Sequence, residues 1–156
     1  MISLPKPPKI IEEKENKAIF EIEELFPGYG VTVGNALRRI LLSSLPGAAV
    51  TEMEIKGGQH DFSAVSGVLE DMIEIILNLK KVRFKVYSDE PQKAQLKIKG
   101  EKKVKASDFK LPSQVELINK DAYIATITSK NSSLDMEIQV EKGFGYQTVE
   151  QRKKEK

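Results

Sequence analysis

The chain has no cysteine and no tryptophan, one histidine, and only 6% aromatic residues. Without cysteine there is no disulfide, no thiolate metal ligand and no thiol nucleophile, which suits a reducing cytosol. No apolar run approaches the roughly 20 residues needed to span a bilayer. The prolines of MISLPKPPKI fall where a signal peptide would need an apolar core. Excess charge is also missing: 25 Lys+Arg stand against 23 Asp+Glu, a net of +2. That is too little to make a surface that coats nucleic acid. A compact chain of 156 residues buries roughly 70% of its unfolded surface and needs no staple. It has room for one domain, or two small ones sharing a core.

What is present is mostly alternation. Met1 to Pro8 reads as an extended, proline-interrupted arm. KIIEEKENKAIFEIEEL predicts two strands around a polar turn at Lys14 to Lys17. Breakers at Pro27, Gly28 and Gly30 precede a helix predicted from Val33 to Leu45, stopped by Pro46-Gly47. AAVTEMEIKGG predicts a strand with Thr51, Met53 and Ile55 on one face, and HDFSAVSGV a loop with short extended parts. A second helix is expected, capped by Ser66, with Glu70 and Asp71 in its first turn and Lys80 and Lys81 at its end. Val68, Met72, Ile75, Ile76 and Leu79 give it an apolar face. RFKVYS, AQLKIKG, QVELI, AYIATITS and SLDMEIQVE predict strands, the last with the stripe Leu134, Met136, Ile138, Val140. QRKKEK reads as disordered or as a cut end. There is no internal repeat, and two helices with about eight short strands make the class α+β.

The first helix poses a problem. At about 100° per residue, Val33, Leu37, Ile40, Leu41 and Ser44 share one side, flanked by Ala36 and Leu45. This arc covers roughly half the circumference, wider than one sheet contact requires. Asn35, Arg39 and Ser43 form the opposite side, with Leu42 between Arg38 and Arg39. Two readings stay open: a one-sided amphipathic helix with a stray exposed leucine, or a helix gripped from two directions. In the second, the guanidinium fork beside an apolar anchor makes an interface hot spot.

GYGVTVGNALRRILLSSLPGAAVTEMEI, followed by HDFSAVSGVLEDMIEIILNLK and, near the end, GFGYQTV, resembles the N-terminal domain of bacterial-type DNA-directed RNA polymerase alpha subunits. The resemblance runs from about residue 10 to about 147. It implies an assembly scaffold that pairs as a homodimer and recruits the beta and beta-prime subunits for transcription. By position it implies a beta-facing set of Arg39 and Leu42 with Arg38 and Asn35, and a beta-prime contact at Lys80. Leu37, Ile40, Leu41, Ser44 and Leu45 would face the other alpha copy. It also implies a dimerisation domain, a sheet plus a long helix, interrupted by a strand-rich insert. Residues 1–48 would then be the first part of the dimerisation domain and 49–156 the insert. Family chains return afterwards to complete the dimerisation sheet, so an end at Lys156 reads as a fragment or a truncation, and puts dimerisation by this chain alone in doubt. DNA would be met only through the assembled enzyme or an absent C-terminal domain, in a bacterial cytoplasm or a plastid.

No chemistry competes with this. GYGVTVGN matches neither GxGxxG nor GxxxxGK[ST], so it reads as a turn into a helix rather than a nucleotide cradle. His60 beside Asp61 lacks a nucleophile and a metal set, and reads as a surface-loop residue. Glu70-Asp71 is accounted for by the helix dipole and is not an Asp-x-Asp magnesium site. The basic run Arg152 to Lys156 has no aromatic partner for nucleic acid. No catalytic, cofactor or metal residue is expected, and no membrane. The competing class is a short stand-alone protein-binding module related to the alpha subunit.

Overall fold

A computed structural model of the chain describes residues 4–14, 17–58 and 63–155, with side chains as far as Arg152. The predicted turn at Lys14 to Lys17 falls partly outside these residues, and His60 and Asp61 fall wholly outside. Two compact units emerge: Met1–Leu45 with Gly145–Lys156, and Pro46–Phe144. The division drawn from sequence at 48/49 carried the second part to Lys156, whereas the backbone after Phe144 groups with the first unit.

The first unit contains the antiparallel hairpin β1 (Lys9–Lys14) and β2 (Lys17–Glu21), the helix α1 (Tyr29–Ser43) and the terminal helix α3 (Val149–Glu155). Two expectations change here. α1 begins four residues earlier than Val33, because Gly28 sits at φ 88°, ψ −20° and turns the chain directly into the helix. The tail read as disordered is helical at the backbone level from Val149, where Thr148 and Gln151 exchange side-chain and backbone hydrogen bonds of 2.9 and 3.3 Å.

The second unit holds every buried apolar residue among the described ones. Its centre is a three-stranded antiparallel sheet in the order β3 (Pro46–Ile55), β9 (Ser133–Phe144), β5 (Gln92–Lys99). Leu134, Met136, Ile138 and Val140 of β9 are all buried, facing Ile98, Leu96 and Ala94 on one side. On the other side the register opposes Met136 to Ile55, Ile138 to Met53 and Val140 to Val50. A bulge between Val50 and Glu52 adds a residue to β3, so the core stripe is Ala48, Val50, Met53, Ile55. Thr51 leaves the face assigned to it from strict alternation and instead donates its hydroxyl to the Gln139 carbonyl at 3.4 Å.

The rest of the unit comprises α2 (Met72–Leu79) and two small antiparallel pairs. These are β4 (Phe84–Val86) with β7 (Val115–Leu117), and β6 (Lys102–Lys105) with β8 (Tyr123–Ile127). α2 packs against β8, and β4 meets β3 and β9. A 3₁₀ turn at Ala106–Asp108 follows β6. Neither β6 nor that turn was expected from sequence. KKVK shows one apolar residue, Val104, which is fully buried, and a single residue gives no alternation to read. The three α-helices and nine strands among the described residues confirm the α+β class. Among the described residues no helix is long and apolar enough to cross a membrane.

The helix α2 also begins differently from its predicted start. Its cap is Asp71, not Ser66: the Asp71 carboxylate accepts the Glu74 backbone N–H at 2.7 Å. Glu70 lies outside the helix and is buried. It accepts the Thr126 N–H at 2.6 Å and the Tyr123 hydroxyl. Burial, then the Glu70 carboxylate beside it, push the Tyr123 phenol above its ordinary range. Val68 belongs to a bridge with Ile127 rather than to the helix.

The segment before α2 is therefore laced to β8, and Gly67 is where it must be glycine. Its φ is 76°, and an added Cβ would meet the Ser132 Oγ at 1.9 Å and Cβ at 2.4 Å. Gly67→Ala is expected to destabilise this unit by about 2–4 kcal/mol, combining positive-φ strain with overpacking. A urea titration of the variant against the parent measures the loss.

Candidate functional site

α1 has ordinary local reasons to form and unusual surroundings. Tyr29 N–H bonds the Phe26 carbonyl at 2.9 Å, and the two rings stack edge-to-face with centroids 5.6 Å apart. At the other end Ser44 N–H bonds the Ile40 carbonyl at 2.9 Å, and the Ser43 hydroxyl donates to the Arg39 carbonyl at 2.7 Å. The last turn is closed from behind by Gly145, at φ 59°, whose would-be Cβ lies 3.4 Å from the Ser43 Cα and carbonyl oxygen.

Yet no residue of α1 is buried. Leu37 is 47% exposed, Ile40 55%, Leu41 59%, Leu42 67% and Leu45 57%. Only Val33 of the predicted arc is half-buried. Asn35, Arg38, Arg39, Ser43 and Ser44 are exposed as well. Neither Arg38 nor Arg39 has an ion-pair partner among the described residues. Five large aliphatic side chains within nine positions are thus about half exposed or more, where a globular fold would ordinarily cover them with protein. In the same unit Ile10, Phe20, Val31 and Tyr146 are also more than half exposed.

Lys80 lies in the other unit. It is the residue after α2, still in helical geometry at φ −61°, ψ −20°, and it is exposed. The end of that helix is rigidly held. Arg83 Nη1 donates to the Lys80 carbonyl at 3.1 Å, Asn119 Nδ2 to the Lys81 carbonyl at 2.9 Å, and the Arg83 N–H to Asn119 Oδ1 at 2.7 Å. The candidate residues thus form two groups, nine side chains on and just after α1 and one at the end of α2.

Sequence periodicity missed a further feature of α2. While Met72, Ile75 and Leu79 are buried, Ile73 and Leu77 of the helix point outward, 37% and 51% exposed, and Leu69, on the segment before its cap, is 70% exposed. Their spacing of four was readable, but a helix with enough apolar residues for its core face gives no reason to look for a second stripe.

No group of three or more His, Asp or Glu side chains that could hold a metal ion occurs among the described residues. One groove of about 610 Å³ is lined by Leu69, Glu70, Glu74, Leu77, Asn78, Lys81 and Tyr123.

Residues 53–156 match the family described as RNA polymerase Rpb3/RpoA insert domain. The DNA-directed RNA polymerase subunit alpha of Roseiflexus sp. (strain RS-1) is 47% identical over 151 residues, covering 97% of this chain and 46% of the relative. That of Oceanobacillus iheyensis is 49% identical over 156 residues, covering 98% and 49%. That of Aquifex aeolicus is 53% identical over 131 residues, covering 83% and 41%. The chain spans about half the length of the curated relatives it matches.

Proposed function

Because the chain belongs to the RNA polymerase Rpb3/RpoA insert-domain family, we propose that it acts as the assembly scaffold of a DNA-directed RNA polymerase. Two copies pair through the apolar arc Leu37, Ile40, Leu41, Ser44 and Leu45. Arg39 and Leu42, with Arg38 and Asn35 beside them, hold the beta subunit, and Lys80 meets beta-prime. The chain contributes no reacting group of its own. Nucleotides and DNA are met only by the assembled enzyme, in the cytoplasm.

One observation carries this reading: a well-formed helix displays an uncovered aliphatic arc and two guanidinium groups without an ion-pair partner among the described residues, within a unit none of whose described apolar residues is buried. Such a unit lacks the burial that would offset its own chain entropy. Cover from other polypeptides supplies it. Arginine beside an aliphatic anchor also suits a desolvated interface centre.

The test is co-expression of the full-length, tagged subunit with the two large polymerase subunits, followed by affinity capture. Recovery of both large subunits with a dimer of the tagged chain is the expected result. Capture that brings down neither overturns the scaffold reading.

A further inference from the structure

We infer that β6 is a guard strand, whose lysines close an open sheet edge to strand addition by a second copy of this chain. The inference is independent of the scaffold reading.

β8 is the segment that needs a guard. Residues 122–128 read AYIATIT, with no charge, proline or glycine, and five of the seven are aromatic or β-branched. Short uncharged stretches of such high strand propensity are the ones that stack between chains once they are exposed. In the fold Ile124, Ala125 and Ile127 are fully buried. One edge of β8 is taken by the approach to α2. There Leu69 N–H bonds the Thr126 carbonyl at 2.9 Å, and Thr128 N–H the Gly67 carbonyl at 2.9 Å. The other edge is taken by β6, with Lys103 opposite Thr126 and Val104 opposite Ala125.

β6 itself is outermost in its sheet. Among the described residues, no backbone hydrogen bond runs from residues 102–104 to any segment other than β8. An outermost strand offers unpaired N–H and C=O groups, and these invite another strand. At β5 the invitation is met by cover, since Gln95 and Lys110 exchange backbone hydrogen bonds of 3.2 and 2.7 Å. At β6 it is reduced instead. The strand is four residues long and bulged between Val104 and Lys105. Lys105 N–H is already spent on the Asp108 carboxylate at 3.0 Å.

Three of its four residues are lysines, and only Val104 reaches the core. Lys102 pairs with Asp108 at 2.6 Å and Lys105 with Asp121 at 2.8 Å. Exposed pairs of this kind add little stability. Lys103 is exposed and has no ion-pair partner among the described residues, so neither packing nor pairing accounts for it. Its ammonium stands mid-edge, where an added strand would have to strip it of water. Two copies of β6 aligned antiparallel about their centres would also set Lys102 opposite Lys105 at both ends, and like charges so placed repel.

The test uses the full-length subunit, with Lys103→Ile and Lys103→Glu beside the parent. Each is incubated with agitation in the absence of denaturant, while thioflavin T fluorescence and light scattering follow association. Lys103→Ile is expected to shorten the lag by roughly tenfold or more, with its urea midpoint unchanged or raised. Lys103→Glu keeps a charge at the edge and is expected to behave as the parent. Hydrogen exchange on the Lys103→Ile aggregate should show protection at residues 102–105 and 122–128. Three results overturn the inference: association of Lys103→Ile no faster than the parent, equal acceleration by Lys103→Glu, or protection confined to other segments. A lowered urea midpoint in Lys103→Ile does the same, because faster association would then follow from lost stability.

Discussion

Arg39→Ala in the full-length subunit is expected to abolish recovery of the beta subunit, while thermal melting of the subunit itself stays where it was. The second half follows from the structure: the Arg39 side chain is exposed and has no ion pair among the described residues, so its truncation belongs with surface substitutions, worth about 0.5 kcal/mol or less. The first half follows from the interface proposed for it. Removing one member of a buried charged hydrogen-bonded pair leaves the other desolvated and unpaired, at about 2–5 kcal/mol. At 1.4 kcal/mol per tenfold, that is roughly thirty- to several-thousand-fold in affinity, enough to lose the complex on a column. Arg39→Lys is expected to rescue little, since an ammonium cannot reproduce a planar two-pronged contact. Retention of beta by Arg39→Ala at the parent level would remove Arg39 from the interface.

A pair of leucine-sized truncations separates folding from assembly. Ile138→Ala empties the middle of β9, where the side chain is fully buried between Met53 and Ala94 on the flanking strands. It is expected to cost about 2–5 kcal/mol through lost burial and the cavity left behind, and thus to consume much of a small unit's stability. Leu41→Ala removes a similar side chain from a position already 59% exposed. It should leave the denaturation midpoint of the free chain nearly unchanged. In the full-length subunit, however, it is expected to weaken pairing of the two copies, which sedimentation across a concentration series reads. Equal destabilisation by both substitutions in the free chain would mean that Leu41 is covered by its own polypeptide after all.

Legibility in the sequence tracked how far each residue's role was local. The β9 stripe could be read directly because four alternate positions all face one core and nothing interrupts them. Thr51 was misplaced because a bulge shifts the alternation by one, and nothing in AAVTEMEI marks it. The early start of α1 was hidden by Gly30 and Gly34, which count against helix in propensity terms. The positive φ of Gly28 decides the matter instead. Asp71 and Glu70 are adjacent acids with opposite fates, one capping a helix and one buried against β8. Only the fold, by bringing Thr126 and Tyr123 alongside, tells them apart. For the candidate site the amphipathic anomaly of α1 was plain from periodicity. What would cover it was not, since a sequence records the face it offers and not the one it meets.

The pairing of Pro46 with Phe144 and Gly47 with Gly143 bears on the order in which the chain matures. Across an antiparallel pair such residues sit about 5 Å apart, although nearly a hundred peptide bonds separate them along the backbone. If the sheet of the second unit forms first, it acts as a splint, delivering the end of α1 and the Gly145 turn to the same place. The ring-closure entropy for bringing the first unit's two pieces together is then already met, because a long floppy tether has become a short stiff one.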